Sequence, residues 1–502
     1  MSGSARFRFV DFNALLQLAN ACTIGLLLYV YFRFDSLPPN EYMDANTAAL
    51  GLLLAAQTHA ALWIERRRRD PFVLLLALWM ILYYQLRLFT LAALPFSIVF
   101  DRLSYDVADS NFALMFILGA NLFIYAGLSV VRFRGNLRVD IGDLQAKTPI
   151  GVAVLLLATI VFAYLRGAFW TADNVPRALN FVIGFFMPEL VILMALVYLL
   201  LFHRSISRPF VWTIGGLIAL EMLAHTLWGS RSAVMGLAQA TLVAALAALG
   251  TIQVRARTVA LGAVLLPALL GVLIALFSIA TYNRVAREGA ASLDVGQALT
   301  FAGEAREVLG DDPIVDVLLP PIAARAGYFD FSAEVIANQE EYSAVINFPT
   351  YLRSLIDNLL TPGFDVFDQP MTANALRFIY YDQGQPSRAM ADAFYHSDQI
   401  CVYGEFYVLF GFAALPLLFL GAMAWKSFYV QLRHPNPFIL GAARAVTLLV
   451  FVRVLDSFGT DWTITTMVPY LAALFLFSYL FTVRRAPALL PDARAADTTP
   501  AV

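Results

Sequence analysis

Four stretches hold the side chains most able to do chemistry. In WGSRSAVMG (228–236), Ser230, Arg231 and Ser232 sit where one apolar run ends and the next begins. A helix starting there presents unpaired backbone N–H groups and a positive dipole end, so the three residues form a candidate anion site. Arginine suits phosphate because its planar fork donates two parallel hydrogen bonds and stays charged. An arginine at such a depth also serves as a plain interface anchor that snorkels to water. TYNRVAREG (281–289) closes the following run with Arg284 and Arg287, three residues apart and hence neighbours on one helical face. Glu288 and Asp294 are the local carboxylates that could pair with them.

EMLAH (221–225) places Glu221 and His225 one helical turn apart within an apolar run, and ionisable groups there are costly and commonly face a polar cavity. Glu189, Arg87 and the Arg453/Asp456 pair, three residues apart, are further intramembrane charges that could simply hold helices together. The fourth stretch, AFYHSDQICVYGEFYVLFG (393–411), interleaves His396, Asp398 and Glu405 with Tyr395, Tyr403, Phe406 and Tyr407. A histidine accepts a proton near neutral pH, and a carboxylate can do so within hydrogen-bond reach. Aromatic faces pack on sugar rings, and the same tyrosines also suit an interfacial belt.

The elements that must position these groups are membrane helices. Of 502 residues 60% are hydrophobic and only 14% charged, outside the balance of a soluble domain. The apolar residues fall in twelve runs, near 12–32, 47–64, 71–93, 111–131, 149–165, 178–202, 210–228, 232–250, 259–281, 400–425, 437–456 and 462–482. Each is about the length that crosses roughly 30 Å of hydrocarbon as helix. The expected fold class is therefore an all-α polytopic membrane protein with helices 1–9 in 1–281, a long, mainly helical outer loop in 282–398, helices 10–12 in 399–482 and a disordered cytoplasmic tail in 483–502. Arg6 with Arg8, ERRRRD (65–70), VRFRGNLR (131–138), HRSISR (203–208), VRAR (254–257), Lys426 with Arg433, and Arg484 with Arg485 all fall on one side if every run spans. That side is the cytoplasm, with both termini in it. Arg231, Arg284 and Arg287 then face outward, where basic residues are disfavoured, and so call for an anionic partner. Within the loop, SAEVIANQEEYSAVI (332–346) and FPTYLRSLIDNLL (348–360) read as short helices, the second suited to lie on the bilayer surface. Two cysteines, Cys22 and Cys401, give no disulfide framework and no zinc spacing.

This arrangement resembles the bacterial O-antigen and oligosaccharide repeat-unit polymerases and the wider group that includes O-antigen ligases. The likeness lies in the many runs, the late outer loop, the arginine in the Ser230-Arg231-Ser232 turn followed by outer arginines after the next run, and the aromatic stretch from Tyr407 to Gly411. It covers mainly residues 225 to 411. Where the ligases pair a loop arginine with a histidine, the nearest arginine before His396 is Arg388. The resemblance implies a glycosyltransferase of the inner membrane that joins glycan repeat units carried on polyprenyl diphosphate, at the outer leaflet, without metal or cofactor. The implied partners are an undecaprenyl-diphosphate-linked glycan as donor and acceptor, membrane lipids and a chain-length regulator, and no nucleic acid. On that reading Arg231, Arg284 and Arg287, with Ser230 and Ser232, bind the diphosphate. His396 is the first choice of base, with Glu221, His225, Asp398 and Glu405 behind it. A ligase that transfers finished polymer, or a transporter of polysaccharide or lipid-linked sugar, are the alternatives. A transporter predicts two related halves, and none are found in the sequence.

Overall fold

The computed structural model describes residues 9–37, 40–66, 69–93, 104–132, 144–146, 150–169, 188–203, 205–227, 231–250, 252–255, 258–262, 264–265, 327–360, 366–380, 401–434, 436–456 and 459–484. Over those residues the chain is a helical membrane protein: six helices, Phe12–Ser36, Ala45–Ile64, Pro71–Ala93, Val107–Val130, Val402–Gln431 and Pro437–Leu455, are long and apolar enough to cross a bilayer.

Helix starts follow local chemistry. Asp11 accepts from the Asn13 amide to open α1 (Phe12–Arg33). Asp44 exchanges hydrogen bonds with Thr47 at the head of α2 (Ala45–Ile64), and Asp106 does so with Asp109 at the head of α5 (Val107–Val130). Each satisfies amides that a helix start leaves unpaired. Asp70 followed by Pro71 opens the third apolar run, because proline fits the first turn, where no amide hydrogen is needed. That run is not one regular helix. It is α3 (Pro71–Met80), a π-helical turn (Ile81–Gln85) and α4 (Leu86–Ala93). The turn aims Gln85 at two neighbours: it accepts from Thr23 at 2.6 Å and donates to Thr58 at 3.1 Å, pinning α1 and α2 together. Next to it, Tyr84 hydrogen-bonds the buried Cys401 thiol.

Further along lie α6 (Ile150–Phe169), α7 (Pro188–Phe202), α8 (Arg208–Leu227) and α9 (Arg231–Leu249). The loop supplies α10 (Tyr328–Ala337), α11 (Gln339–Val345), α12 (Phe348–Leu355) with a π-helical turn at Ile356–Leu360, and α13 (Thr372–Tyr380). The chain ends with α14 (Val402–Phe410), α15 (Ala414–Gln431), α16 (Pro437–Asp456) and α17 (Thr460–Phe481). Every apolar run read from the sequence carries helix over its described residues; most of 259–281 lies outside them.

Two antiparallel ribbons, for which the sequence offers no warning, tie distant segments. β1 (Phe9–Asp11) pairs with β3 (Gln253–Arg255), and β2 (Leu144–Ala146) pairs with β4 (Thr482–Arg484). Val483 and Arg484, expected at the head of a disordered tail, are thus in a ribbon. Hydrogen-bonded strands share one end of a bundle, so the starts of α1 and α6 and the ends of α9 and α17 gather there. The Asp11–Arg69 ion pair at 3.0 Å lies at this strand end too. The loop helices sit at the opposite end, against the start of α5 and the end of α4.

The tightest helix crossing joins α5 to α15. A Cβ on Gly127 would lie 2.3 Å from the Phe419 carbonyl oxygen, so only glycine admits this approach. Nearby Lys426, which the sequence groups with the basic residues of the cytoplasmic side, is buried: its ammonium pairs with Asp70 and also donates to the Leu128 carbonyl.

Candidate functional site

The loop is latched to the bundle by buried carboxylates. Asp330 on α10 accepts from Arg87 Nε at 2.7 Å and from the Tyr105 hydroxyl at 2.9 Å, with Arg87 and Asp330 only 1% and 0% exposed. One turn on, Glu334 accepts from the Ser104 amide at 2.7 Å, its hydroxyl at 2.8 Å and Asn338 Nδ2 at 3.0 Å. Burial raises the Glu334 carboxyl above its ordinary range, and the Ser104 hydrogen bonds offset part of that rise. From the other side, Asp461 on α17 takes hydrogen bonds from Ser354 Oγ (2.7 Å) and from the Thr372 amide (2.8 Å) and hydroxyl (2.9 Å). Gly459, at φ +79°, makes the turn that brings Asp461 there; a Cβ at that position would meet Asp461 Oδ1 at 2.7 Å.

Glu405, read from sequence as a reserve base, lies buried on α14 within this latch. Both its oxygens accept from the Thr460 amide at 3.0 Å, and Oε1 also accepts from the Thr460 hydroxyl. Because that hydroxyl donates to Glu405, it accepts from Tyr351 on α12 at 2.8 Å. Tyr403 likewise points inward, donating to Asn121. The aromatic stretch therefore packs the loop onto the bundle, and half-period alternation in sequence could not show which of its faces would turn in.

α12 turns Ser354 inward and Phe348, Leu352 and Arg353 outward. Ser354 and Asp357 are buried, while Phe348 and Leu352 are exposed, as are Val366 and Phe367 just beyond. Asp357 folds the chain back by accepting from the amides of Val366, Phe367 and Gln369. That outward apolar face is the one expected of a helix lying on a bilayer surface.

Arg231 is the first residue of α9, and α9 ends at the ribbon of β3. Its start is therefore at the far end of the bundle, the end covered by the loop helices. At a helix start the first amides lack intrahelical partners and carry the positive dipole end. Gly236, about 7 Å further along the helix axis, rests against Glu189 of α7, which forms an ion pair with Arg453 of α16. Sequence reading paired Arg453 with Asp456; the structure takes it across to Glu189, 264 positions away in the chain, a separation at which no local spacing gives warning.

Glu221 lies on α8, six residues before its end at Leu227, so roughly 9 Å along the axis from that end. It is fully buried, and among the described residues neither carboxylate oxygen has a well-formed hydrogen bond. Thr159 on α6 lies beside it, its hydroxyl donating to the Leu156 carbonyl at 2.7 Å. A buried carboxylate so poorly satisfied carries a large cost of lost hydration and calls for an explanation other than holding the fold. His225 is on the same helix, one turn nearer Arg231.

The structure thus brings Arg231, Glu221 and His225 onto one helical hairpin at the loop-covered end and adds the Glu189–Arg453 pair. It places Glu405 elsewhere, in the latch. Ser232 is the second residue of α9. Ser230, Arg284, Arg287, His396 and Asp398 lie outside the described residues. Comparison with protein-family models, with curated proteins and with solved structures returns no match.

Proposed function

We propose that the protein joins oligosaccharide repeat units carried on a polyprenyl diphosphate, at the loop-covered end of the bundle. This end faces the outer side of the bacterial cytoplasmic membrane, with twelve crossings and both termini in the cytoplasm. The observation that carries the reading is Arg231 at the positive start of α9, with a buried carboxylate, Glu221, on the preceding helix that has no well-formed hydrogen bond among the described residues. Such a helix start favours a diphosphate, and a guanidinium adds a bidentate, permanently charged contact. Charge stabilisation of the departing diphosphate lowers the barrier as a cation would, without one being required.

In the reaction an acceptor hydroxyl attacks the anomeric carbon, the bond from that carbon to the diphosphate oxygen breaks, and the hydroxyl proton passes to a base. His396 is assigned that role, with Glu221, His225 and Asp398 as the other acceptors; Arg284 and Arg287 join Arg231 at the diphosphate. The latch of Asp330, Glu334, Glu405 and Asp461 ties the loop helices to the bundle.

The test is Arg231→Lys, which keeps charge but loses the fork. In cells it should shorten or abolish the polymer while the amount of protein in the membrane holds, and lipid-linked single repeats should accumulate. Normal polymer length from Arg231→Lys and Arg231→Gln would remove Arg231 from the site and the reading with it.

A further inference from the structure

At the strand end, opposite the proposed site, the C-termini of α5 and α15 and the first two turns of α16 enclose a half-open cavity of about 500 Å³. It is lined by Arg132, Arg433, Arg444 and His434 together with Val430, Leu432 and Leu440. Among the described residues, the lining holds three guanidinium groups and no carboxylate. Asp70, on the neighbouring α3, is committed to Lys426. Among the described residues, Arg132 and Arg433 are exposed and form no ion pair. Arg444 lies deeper, its guanidinium 5.6 Å from the centre of the Tyr429 ring. The Asn436 amide donates to His434 Nδ1 at 3.0 Å, which holds the imidazole in place at the edge of the cavity.

The polar lining opens beside apolar surface. The His434 ring lies 6.3 Å from that of Phe475, and Phe475, Leu476 and Phe428 are all exposed on α17 and α15. In a membrane protein those side chains face hydrocarbon. The site therefore has a cationic head compartment and an adjoining apolar flank, whereas a site for a free anion has no use for the second. Basic pockets between membrane helices at the cytoplasmic side are suited to lipid phosphates, and arginine's fork matches their oxygens.

We propose that this cavity binds the phosphate headgroup of an anionic phospholipid, with acyl chains along the exposed sides of α15 and α17. The proposal is independent of the glycosyl-transfer reading, because it uses none of those residues.

The test uses the full chain purified in neutral detergent and its denaturation temperature as lipid is added. Phosphatidylglycerol should raise that temperature saturably, and zwitterionic phosphatidylcholine should not. Arg132→Gln/Arg433→Gln, at two exposed positions whose loss leaves packing intact, should raise the half-saturating mole fraction roughly thirtyfold, at about fivefold per arginine. Arg66→Gln/Arg208→Gln, two exposed arginines at the same end, should leave it unchanged. Equal stabilisation by phosphatidylcholine or by millimolar inorganic phosphate overturns the lipid assignment. So does a response to Arg66→Gln/Arg208→Gln as large as that to the cavity pair, since diffuse charge would then account for the effect.

Discussion

Asp330→Asn tests the latch where it is most demanding. The substitution keeps size and shape, and the Tyr105 hydroxyl can still donate to the amide oxygen. What it removes is the charge paired with Arg87, whose guanidinium is 1% exposed and already has Nη2 without a partner among the described residues. Breaking a buried pair by neutralising one member typically costs about 3–5 kcal/mol, since the surviving charge stays desolvated. If α10 undocks as a unit, amide exchange over residues 328–337 should accelerate by about 10²- to 4 × 10³-fold, at tenfold per 1.4 kcal/mol. Exchange in α15 and α16, which do not touch the pair, should stay as it is. The double variant Arg87→Met/Asp330→Asn removes both charges and should recover a large part of the loss. Hydrogen-exchange mass spectrometry in detergent reads all three proteins. Acceleration below threefold in Asp330→Asn, or no recovery in the double variant, would refute the claim that this pair holds the loop.

Two further outcomes follow from single positions. Gly127→Ala puts a methyl 2.3 Å from the Phe419 carbonyl oxygen, so α5 and α15 must separate; about 1–3 kcal/mol of stability should be lost, seen as a lower denaturation temperature in detergent, whereas Gly215→Ala, with nothing within 4 Å, should be neutral. Glu334 binds its proton more tightly when α10 is docked than when it is free, so docking is strongest at low pH and weakens as pH rises from the ordinary carboxyl value through the elevated one; the protection factors of residues 328–337 should fall over that window, and Glu334→Gln should flatten the dependence.

How much could be read from the chain depends on the range of the interaction. Helix positions are local and came through: the run expected at 71–93 is helical from Pro71 to Ala93, and Asp44, Asp70 and Asp106 mark their helix starts. Arg231 heading a helix was legible for the same reason, as was the outward apolar face of α12. The π-helical turn at 81–85 was not, because an apolar run reads alike whether its hydrogen bonds skip four residues or five. Partners far apart in the chain were illegible altogether. Arg87 with Asp330, Arg453 with Glu189 and Lys426 with Asp70 each join helices whose adjacency no spacing encodes. Glu405 illustrates the same limit: its residue type and aromatic company suit a reactive centre, yet its carboxylate is taken up by Thr460.

The ribbon of β2 and β4 has a consequence for biosynthesis. β2 leaves the ribosome roughly 340 residues before its mate β4. Until β4 emerges this ribbon cannot form, so the start of α6 waits for the end of α17 before the two are tied. A chain cut anywhere before β4 leaves that seam open.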